Sequence, residues 1–310
     1  MGDQIAFVDL GLGFKAIAIS AGQNHTCAIS EDHQLKCWGV NNGGQLGLGD
    51  RLNRGIRSSQ MGDHLPVVDL GSGRNVLQVK AGTNHTCALL DNHQVKCWGG
   101  NSVGELGQGD TRARGFARSQ MSDRLLNVDF GAHKTAIAIS VGSSHSCALI
   151  EDGTLKCWGA GGAQLGVGDI ENKGDKPGQL GDAWSAIQFG LDLPIVQFAL
   201  GAGHTCAITP NQEMRCWGGN SGGELGLGDV VPRGDTRDTT PDKISAIRLG
   251  VREKIKVLSA SQSSTCALFE NGKIKCWGIN GSGELGYAEP NSVGGLPNQM
   301  GVALPYTDLR

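Results

Sequence analysis

His85-Thr86-Cys87-Ala88-Leu89-Leu90-Asp91-Asn92-His93-Gln94-Val95-Lys96-Cys97-Trp98-Gly99 is the stretch that decides the fold. Two short apolar runs flank a polar turn, and each run carries a cysteine. The closing Cys-Trp-Gly recurs at Cys37-Trp38-Gly39, Cys157-Trp158-Gly159, Cys216-Trp217-Gly218 and Cys276-Trp277-Gly278, a spacing of 60 or 59 residues. A period of that length marks a repeat architecture, so the 310 residues read as one array rather than as two domains. The repeats fall at about 1–60, 61–120, 121–179, 180–239 and 240–299, with a partial repeat at 300–310.

Working outward from that stretch, the second repeat holds four apolar or alternating runs: Leu65 to Leu70, Val76 to Lys80, His85 to Leu90 and Gln94 to Trp98. Glycine, asparagine and aspartate clusters separate them, as expected of strands joined by turns. Glycine reaches 50 residues, about 16% of the chain against a usual ~7%, without a collagen triplet. The composition predicts many turns and little helix. Four strands per unit, repeated in series, predict an all-β fold, a β-propeller of four-stranded blades of about 60 residues.

The turn between the cysteine runs fixes a register. Glu151-Asp152-Gly153 and Glu270-Asn271-Gly272 read as three-residue hairpin loops, a type I turn followed by a glycine in the left-handed region. Such a loop makes Ile150 and Thr154 the closing hydrogen-bonded pair. Stepping outward then sets Cys147 opposite Cys157 at a non-hydrogen-bonded position, where Cα atoms lie about 4.5 Å apart. The period carries this to five cross-strand disulfides: Cys27–Cys37, Cys87–Cys97, Cys147–Cys157, Cys206–Cys216 and Cys266–Cys276. Each closes a short loop worth roughly 2.7 kcal/mol on the chain-entropy account, and bridges of this kind belong to an oxidising, extracellular or secreted setting.

Metal binding is the competing chemistry, because His25, Cys27 and Cys37 share one face of the hairpin, as do His85, Cys87 and Cys97. Against it, repeat five has Ser264 in the histidine position yet keeps both cysteines, and no fourth ligand recurs. No metal or other cofactor is therefore expected. His25, His85, His145 and His204 read as packing or turn residues rather than as catalytic ones. The tryptophans alternate to the face opposite the cysteines and are expected to fill the space between blades.

The combination Gly-x-x-His-Thr-Cys-Ala, Lys-Cys-Trp-Gly and Asn-x-x-Gly-Glu/Gln-Leu-Gly-x-Gly-Asp resembles the regulator of chromosome condensation repeat family. It is carried by His85 to Leu90, Lys96 to Gly99 and Gly104 to Gly109, and it runs through all five units. Repeat three departs at Gly161-Gly162-Ala163-Gln164, and repeat five at Tyr287-Ala288-Glu289. The resemblance implies a propeller, commonly of seven blades, that serves chiefly as a protein-interaction platform. Roles in that family include nucleotide exchange on a small nuclear GTPase, chromatin binding and inhibition of secreted β-lactamases. The paired cysteines disfavour the nuclear exchange factor, and fold is better fixed than function.

The extra length of each unit lies at Asp50 to His64, Asp110 to Arg124, Asp169 to Ala183, Asp229 to Lys243 and Glu289 to Ala303. Repeat symmetry puts these loops on one surface, the natural place for recognition. The first two are cationic through Arg51, Arg54, Arg57, Arg112, Arg114 and Arg118. These six are the binding candidates, for an acidic protein or a sulfated glycan, with a solvated face as the competing reading. Arg233-Gly234-Asp235 spells an adhesive tripeptide, but the same slot reads Arg54-Gly55-Ile56 elsewhere and belongs to the repeat. Asp50, Asp110, Asp169 and Asp229 suit turn capping better than calcium.

A formal net charge of −3 gives no basic footprint for nucleic acid, and no apolar run is long enough to insert in a membrane. Met1 to Leu10 lacks the basic start and apolar core of a secretory leader. No nucleophile–base pair, paired carboxylates or phosphate loop stands outside the repeat pattern, so no enzyme is expected. The expectation is a non-enzymatic extracellular structural or interaction scaffold; the alternatives are a secreted binder or inhibitor of one partner, and an exchange factor. Finally, Met300 to Leu309 (MGVALPYTDL) restates Met1 to Leu10 (MGDQIAFVDL). In a closed five-bladed ring the two copies would compete for one strand position, and three resolutions exist: one copy is displaced, the piece is excised from a longer array, or the spare strand is donated head to tail to a neighbouring subunit in self-assembly.

Overall fold

Each pair of cysteine runs, with the run before it, folds into a three-stranded antiparallel meander. The computed structural model describes residues 6–187, 189–190 and 193–307. Blade one holds β1 (Ala16–Ala21), β2 (His25–Ser30) and β3 (Leu35–Gly39), and blade two β4 (Val76–Ala81), β5 (His85–Leu90) and β6 (Val95–Gly99). Blade three holds β7 (Ala136–Val141), β8 (His145–Ile150) and β9 (Leu155–Gly159), and blade four β10 (Gln197–Leu200), β11 (His204–Ile208) and β12 (Met214–Gly218). Blade five is β13 (Ile255–Ala260), β14 (Ser264–Phe269) and β15 (Ile274–Gly278). Among the described residues helix is confined to three-residue 3-10 turns.

The hairpin register is the one the turn predicts. Ile150 N donates to Thr154 O at 2.8 Å, Gly153 sits at φ +81° and Cys147 faces Cys157. All five bridges form, with Cα separations of 4.0 to 4.1 Å, and no cysteine is free. His33, His93 and Gln212 hold the left-handed position without glycine, at φ 59° to 67°. Each spends its side chain on the next blade: His33 Nδ1 meets Val76 O, His93 Nδ1 meets Ala136 O, and Gln212 Oε1 accepts from Ile255 N.

The four-stranded blade needs correction. The run 65–70 forms no ladder and gives the sheet a single backbone bond, Val68 N to Leu35 O at 2.8 Å. Pro66 has no N–H to offer, and Asp69 turns the chain away by accepting from Gly71 N. That bond also runs to the blade of the preceding repeat, as do Val128 N to Val95 O, Ile187 N to Leu155 O and Ile247 N to Met214 O. Repeat and blade are thus out of phase by one segment.

The core lies in the four clefts between successive blades. In the first, Cys27, Ile29, Leu35, Cys37 and Leu46 of blade one meet Val76, Val79, Ala88, Leu90 and Trp98 of blade two. Cysteines and tryptophans therefore point to opposite faces, as the alternation predicts. Residues 21–23, 81–83, 141–143, 200–202 and 261–262 line a central cavity of about 250 Å³, so the five blades curve around one axis. Among the described residues no hydrogen bond joins blade five to blade one, and the arc is open there.

The two terminal copies therefore do not compete. The later one lies on blade five, with Thr307 N bonded to Ile274 O at 2.8 Å. Among the described residues the earlier one is held at its end, by Gly62 N to Asp9 O and Lys36 Nζ to Leu10 O, with Phe7 fully exposed. Residues 1–5 and 308–309 of the two copies lie outside the described residues.

Candidate functional site

Three constellations recur around the arc, and together they define what is left free to bind. The first locks blade to blade. The indole Nε1 of Trp98 donates to Gln45 O at 3.0 Å, and Thr86 Oγ1 donates to the same carbonyl at 2.8 Å. His25 Nε2 meets Thr86 Oγ1 at 2.8 Å. Because the hydroxyl proton is spent on the carbonyl, the imidazole is the donor and carries its proton on Nε2. The same lock joins His145 to Thr205 and Gln164 O, and His204 to Thr265 and Glu224 O, with Trp217 and Trp277 donating alongside. Burial pushes the histidines down, His25 and His204 to about 4, His85 and His145 to about 3. They are neutral hydrogen-bond donors, and the cysteines beside them, oxidised in pairs, have no thiolate to give a metal.

The second constellation was missed by the sequence reading. The lysine before each Cys-Trp-Gly is turned inward and clamps two carbonyls from successive segments: Lys36 holds Leu10 O and Gly62 O, Lys96 holds Leu70 O and Ser122 O, and Lys156 holds Phe130 O and Gly181 O. Arg215 and Lys275 do the same in blades four and five. Lys156 also lies 5.2 Å from the Trp184 ring. Burial lowers the Lys96, Lys156 and Lys275 pKa values. The signal available in sequence was a cation at this one position of all five units.

The third fastens the loop face. Asp50 Oδ1 accepts from Leu52 N at 2.9 Å, Asp50 Oδ2 takes Arg54 Nη2 at 2.6 Å, and Asn41 Nδ2 reaches Asp50 O. Asp110 and Arg114 repeat the pair at 2.7 Å, and this hydrogen bond holds the Asp110 carboxyl below its usual range. The aspartates are turn caps. Arg54 and Arg114, among the binding candidates, thus spend their guanidinium groups on holding their own loops. Arg233 is likewise held by Asp229 at 2.7 Å, so the adhesive tripeptide has no free arginine.

The remaining candidates divide. Arg51 bonds Asn42 O and lies 4.1 Å from the Phe116 ring, bridging the first two loops. Arg57, Arg112 and Arg118 are exposed and join no ion pair among the described residues. Arg118 lines a groove of about 360 Å³ with Asp50, Arg54 and Asp69. Backbone latches carry the loops from blade to blade: Gly49 N to Gly115 O, Gly109 N to Gly174 O, Gly168 N to Gly234 O and Gly228 N to Gly294 O. At Gly115, φ is +102° and a Cβ would sit 2.3 Å from Gly44 O, so only glycine allows the approach.

The comparisons with known proteins agree with this repeating geometry. The regulator of chromosome condensation (RCC1) repeat matches residues 16–45, 76–105, 136–163, 195–224 and 255–284, and a second pattern of the same description matches 32–89. The chain is 31% identical over 224 residues to the ultraviolet-B receptor UVR8 of Arabidopsis thaliana, covering 71% of this chain and 45% of the relative. It is 30% identical over 242 residues to the probable E3 ubiquitin-protein ligase HERC6 of Homo sapiens, covering 74% and 21%. The chain thus spans less than half the length of either relative. Among solved structures, Prp20p of Saccharomyces cerevisiae superposes with a TM-score of 0.68 at 24% identity, over 89% of this chain and 60% of that one. Human WBSCR16 superposes with a TM-score of 0.69 at 20% identity, over 96% and 67%. With five matched units, each built into a disulfide-bearing blade, this chain belongs to the RCC1 repeat family of β-propellers.

Proposed function

We propose that the chain is a non-enzymatic interaction scaffold of an oxidising, extracellular compartment. It presents the loops 50–64 and 110–124 to an acidic protein or sulfated glycan, and it assembles through its spare N-terminal strand. The observation that carries the loop reading is the division among the arginines. Arg54 and Arg114 are consumed in building the loops, while Arg57, Arg112 and Arg118 stand free on neighbouring loops of a latched frame. With a net charge of −3 overall, attraction to an anion is local to these loops.

The test uses heparin and poly-glutamate as probes. Retention of the oxidised chain should fall with salt, and the triple variant R57A/R112A/R118A should lose most of it. Equal retention of variant and parent would overturn the loop reading. The compartment is tested apart from the partner: the native protein from its source should show no reactive thiol, and free cysteines would reject secretion. Exchange on a small GTPase is the alternative, suggested by the binding of Prp20p to Gsp1p. Five disulfides argue against the reducing compartment such a role needs.

A further inference from the structure

The inner wall of the arc breaks the repeat at one place. On the first strand of each blade, the residue paired with the first cysteine is Ser20 opposite Cys27, Ser140 opposite Cys147, Ala199 opposite Cys206 and Ser259 opposite Cys266. In blade two the same register holds Lys80, opposite Cys87. Two residues earlier, on the same face of β4, Gln78 stands where blades one and three have Ala18 and Ala138. The sister blades form the same sheet with serine or alanine at these positions, so the blade itself asks for neither side chain.

A second cavity, of about 320 Å³, continues the central one along β4, β7 and β10, and Lys80 lines it. Leu77, Ala138, Val196 and Phe198 give it apolar walls, with Leu77 41% and Val196 51% exposed. No aspartate or glutamate lines either cavity, and among the described residues Lys80 joins no ion pair. Burial lowers the Lys80 pKa with no carboxylate to counter it, whereas Asp123 and Asp69 counter the fall at Lys96. Gln78 Oε1 accepts from Ile139 N at 3.1 Å, which fixes the amide and leaves its Nε2 without a partner among the described residues. Gln197, the counterpart in blade four, spends its Nε2 on Lys256 O. Blade two alone thus presents a cation and a free amide donor beside an apolar wall.

We propose that this cavity binds a small organic acid, its carboxylate held by the Lys80 ammonium and the Gln78 Nε2, its short apolar body laid against Leu77, Val196 and Phe198. A partly desolvated ammonium without a counter-charge is unfavourable, and a carboxylate offsets that cost through charge-assisted hydrogen bonds. A bare inorganic anion would satisfy the charge and leave the apolar wall wet. An amine of the same length would cover the wall and repel Lys80. The volume is at the small end of ligand pockets, which suits a compact acid. The site lies on the inner strands, apart from the loops 50–64 and 110–124, and so adds a small-molecule function to the loop face.

Calorimetric titration of the full oxidised chain with hexanoate tests it, with hexylamine and sulfate as the contrasting probes. Hexanoate should saturate a single site, and the other two should bind at least about tenfold more weakly. Lys80→Ser installs the residue of blades one, three and five, and should weaken hexanoate by at least about tenfold at unchanged circular dichroism. Gln78→Ala, the residue of blades one and three, should weaken it by a smaller factor. Heparin retention should be untouched in both variants, and R57A/R112A/R118A should keep the hexanoate site, which separates this proposal from the loop reading. No saturable hexanoate binding, equal affinity in Lys80→Ser, hexylamine or sulfate binding as tightly as hexanoate, or loss of the signal in the triple arginine variant would each overturn it.

Discussion

At the scale of single residues, the buried histidines show how one position serves packing and pH response together. His85 and His145 are sealed between blades with pKa values of about 3, and His25 and His204 stand at about 4, against about 6.5 in the unfolded chain. The folded pKa is depressed, so the unfolded state binds more protons in between. The stability these side chains contribute is complete above about pH 6.5 and is lost as the pH falls towards 3 to 4. Each histidine changes the balance by about 1.4 kcal/mol per pH unit in that window. Urea titrations from pH 7 to pH 4 should show the midpoint falling steadily. A midpoint flat until the carboxylates titrate would show that the imidazoles protonate without leaving their hydroxyl partners. In sequence the histidine could be read as structural, since it recurs at one site. Its partner on the next blade could not, because that contact spans about a whole repeat.

Elements were legible wherever the signal is local. A three-residue turn sets the cysteine register within a hairpin, and both the hairpin and its bridge are as derived. The run 65–70 has the alternation of a strand, yet Pro66 and the Asp69 turn leave it one ladder bond, and it serves the previous blade. The inward lysine was illegible for a related reason. Lysine in a strand reads as solvent-facing, and only the packed array brings two carbonyls to it. Lys156→Met should retain the aliphatic packing and leave Phe130 O without its donor, while Gly181 O keeps the Trp184 N–H. The expected cost is about 1–3 kcal/mol for the one carbonyl left dry, read from the shift in denaturant midpoint at unchanged m-value. An unchanged midpoint would mean that water replaces the ammonium.

For the molecule as a whole, the core is distributed over four clefts rather than gathered in one centre, so stability depends on neighbours. Blade three is covered on both faces, whereas Cys266, Leu268 and Ile274 on the outer face of blade five are only half-buried. Amides of β13–β15 should therefore exchange with deuterium faster than those of β7–β9 in the native protein. Equal protection would indicate a single cooperative unit. Closure depends on the angle between blades, which no segment of sequence encodes locally. The hints were a count of five units in a family commonly of seven blades, and the duplicated terminal decapeptide.

The disulfides have a consequence for biosynthesis. Every bridge lies inside one hairpin, between strands adjacent in sequence, and none links one repeat to another. Correct pairing during synthesis needs no search along the chain. In the oxidising compartment proposed above, each hairpin can be sealed as it emerges, before the next repeat exists, so a nascent chain paused between repeats holds no half-finished bridge awaiting a distant partner.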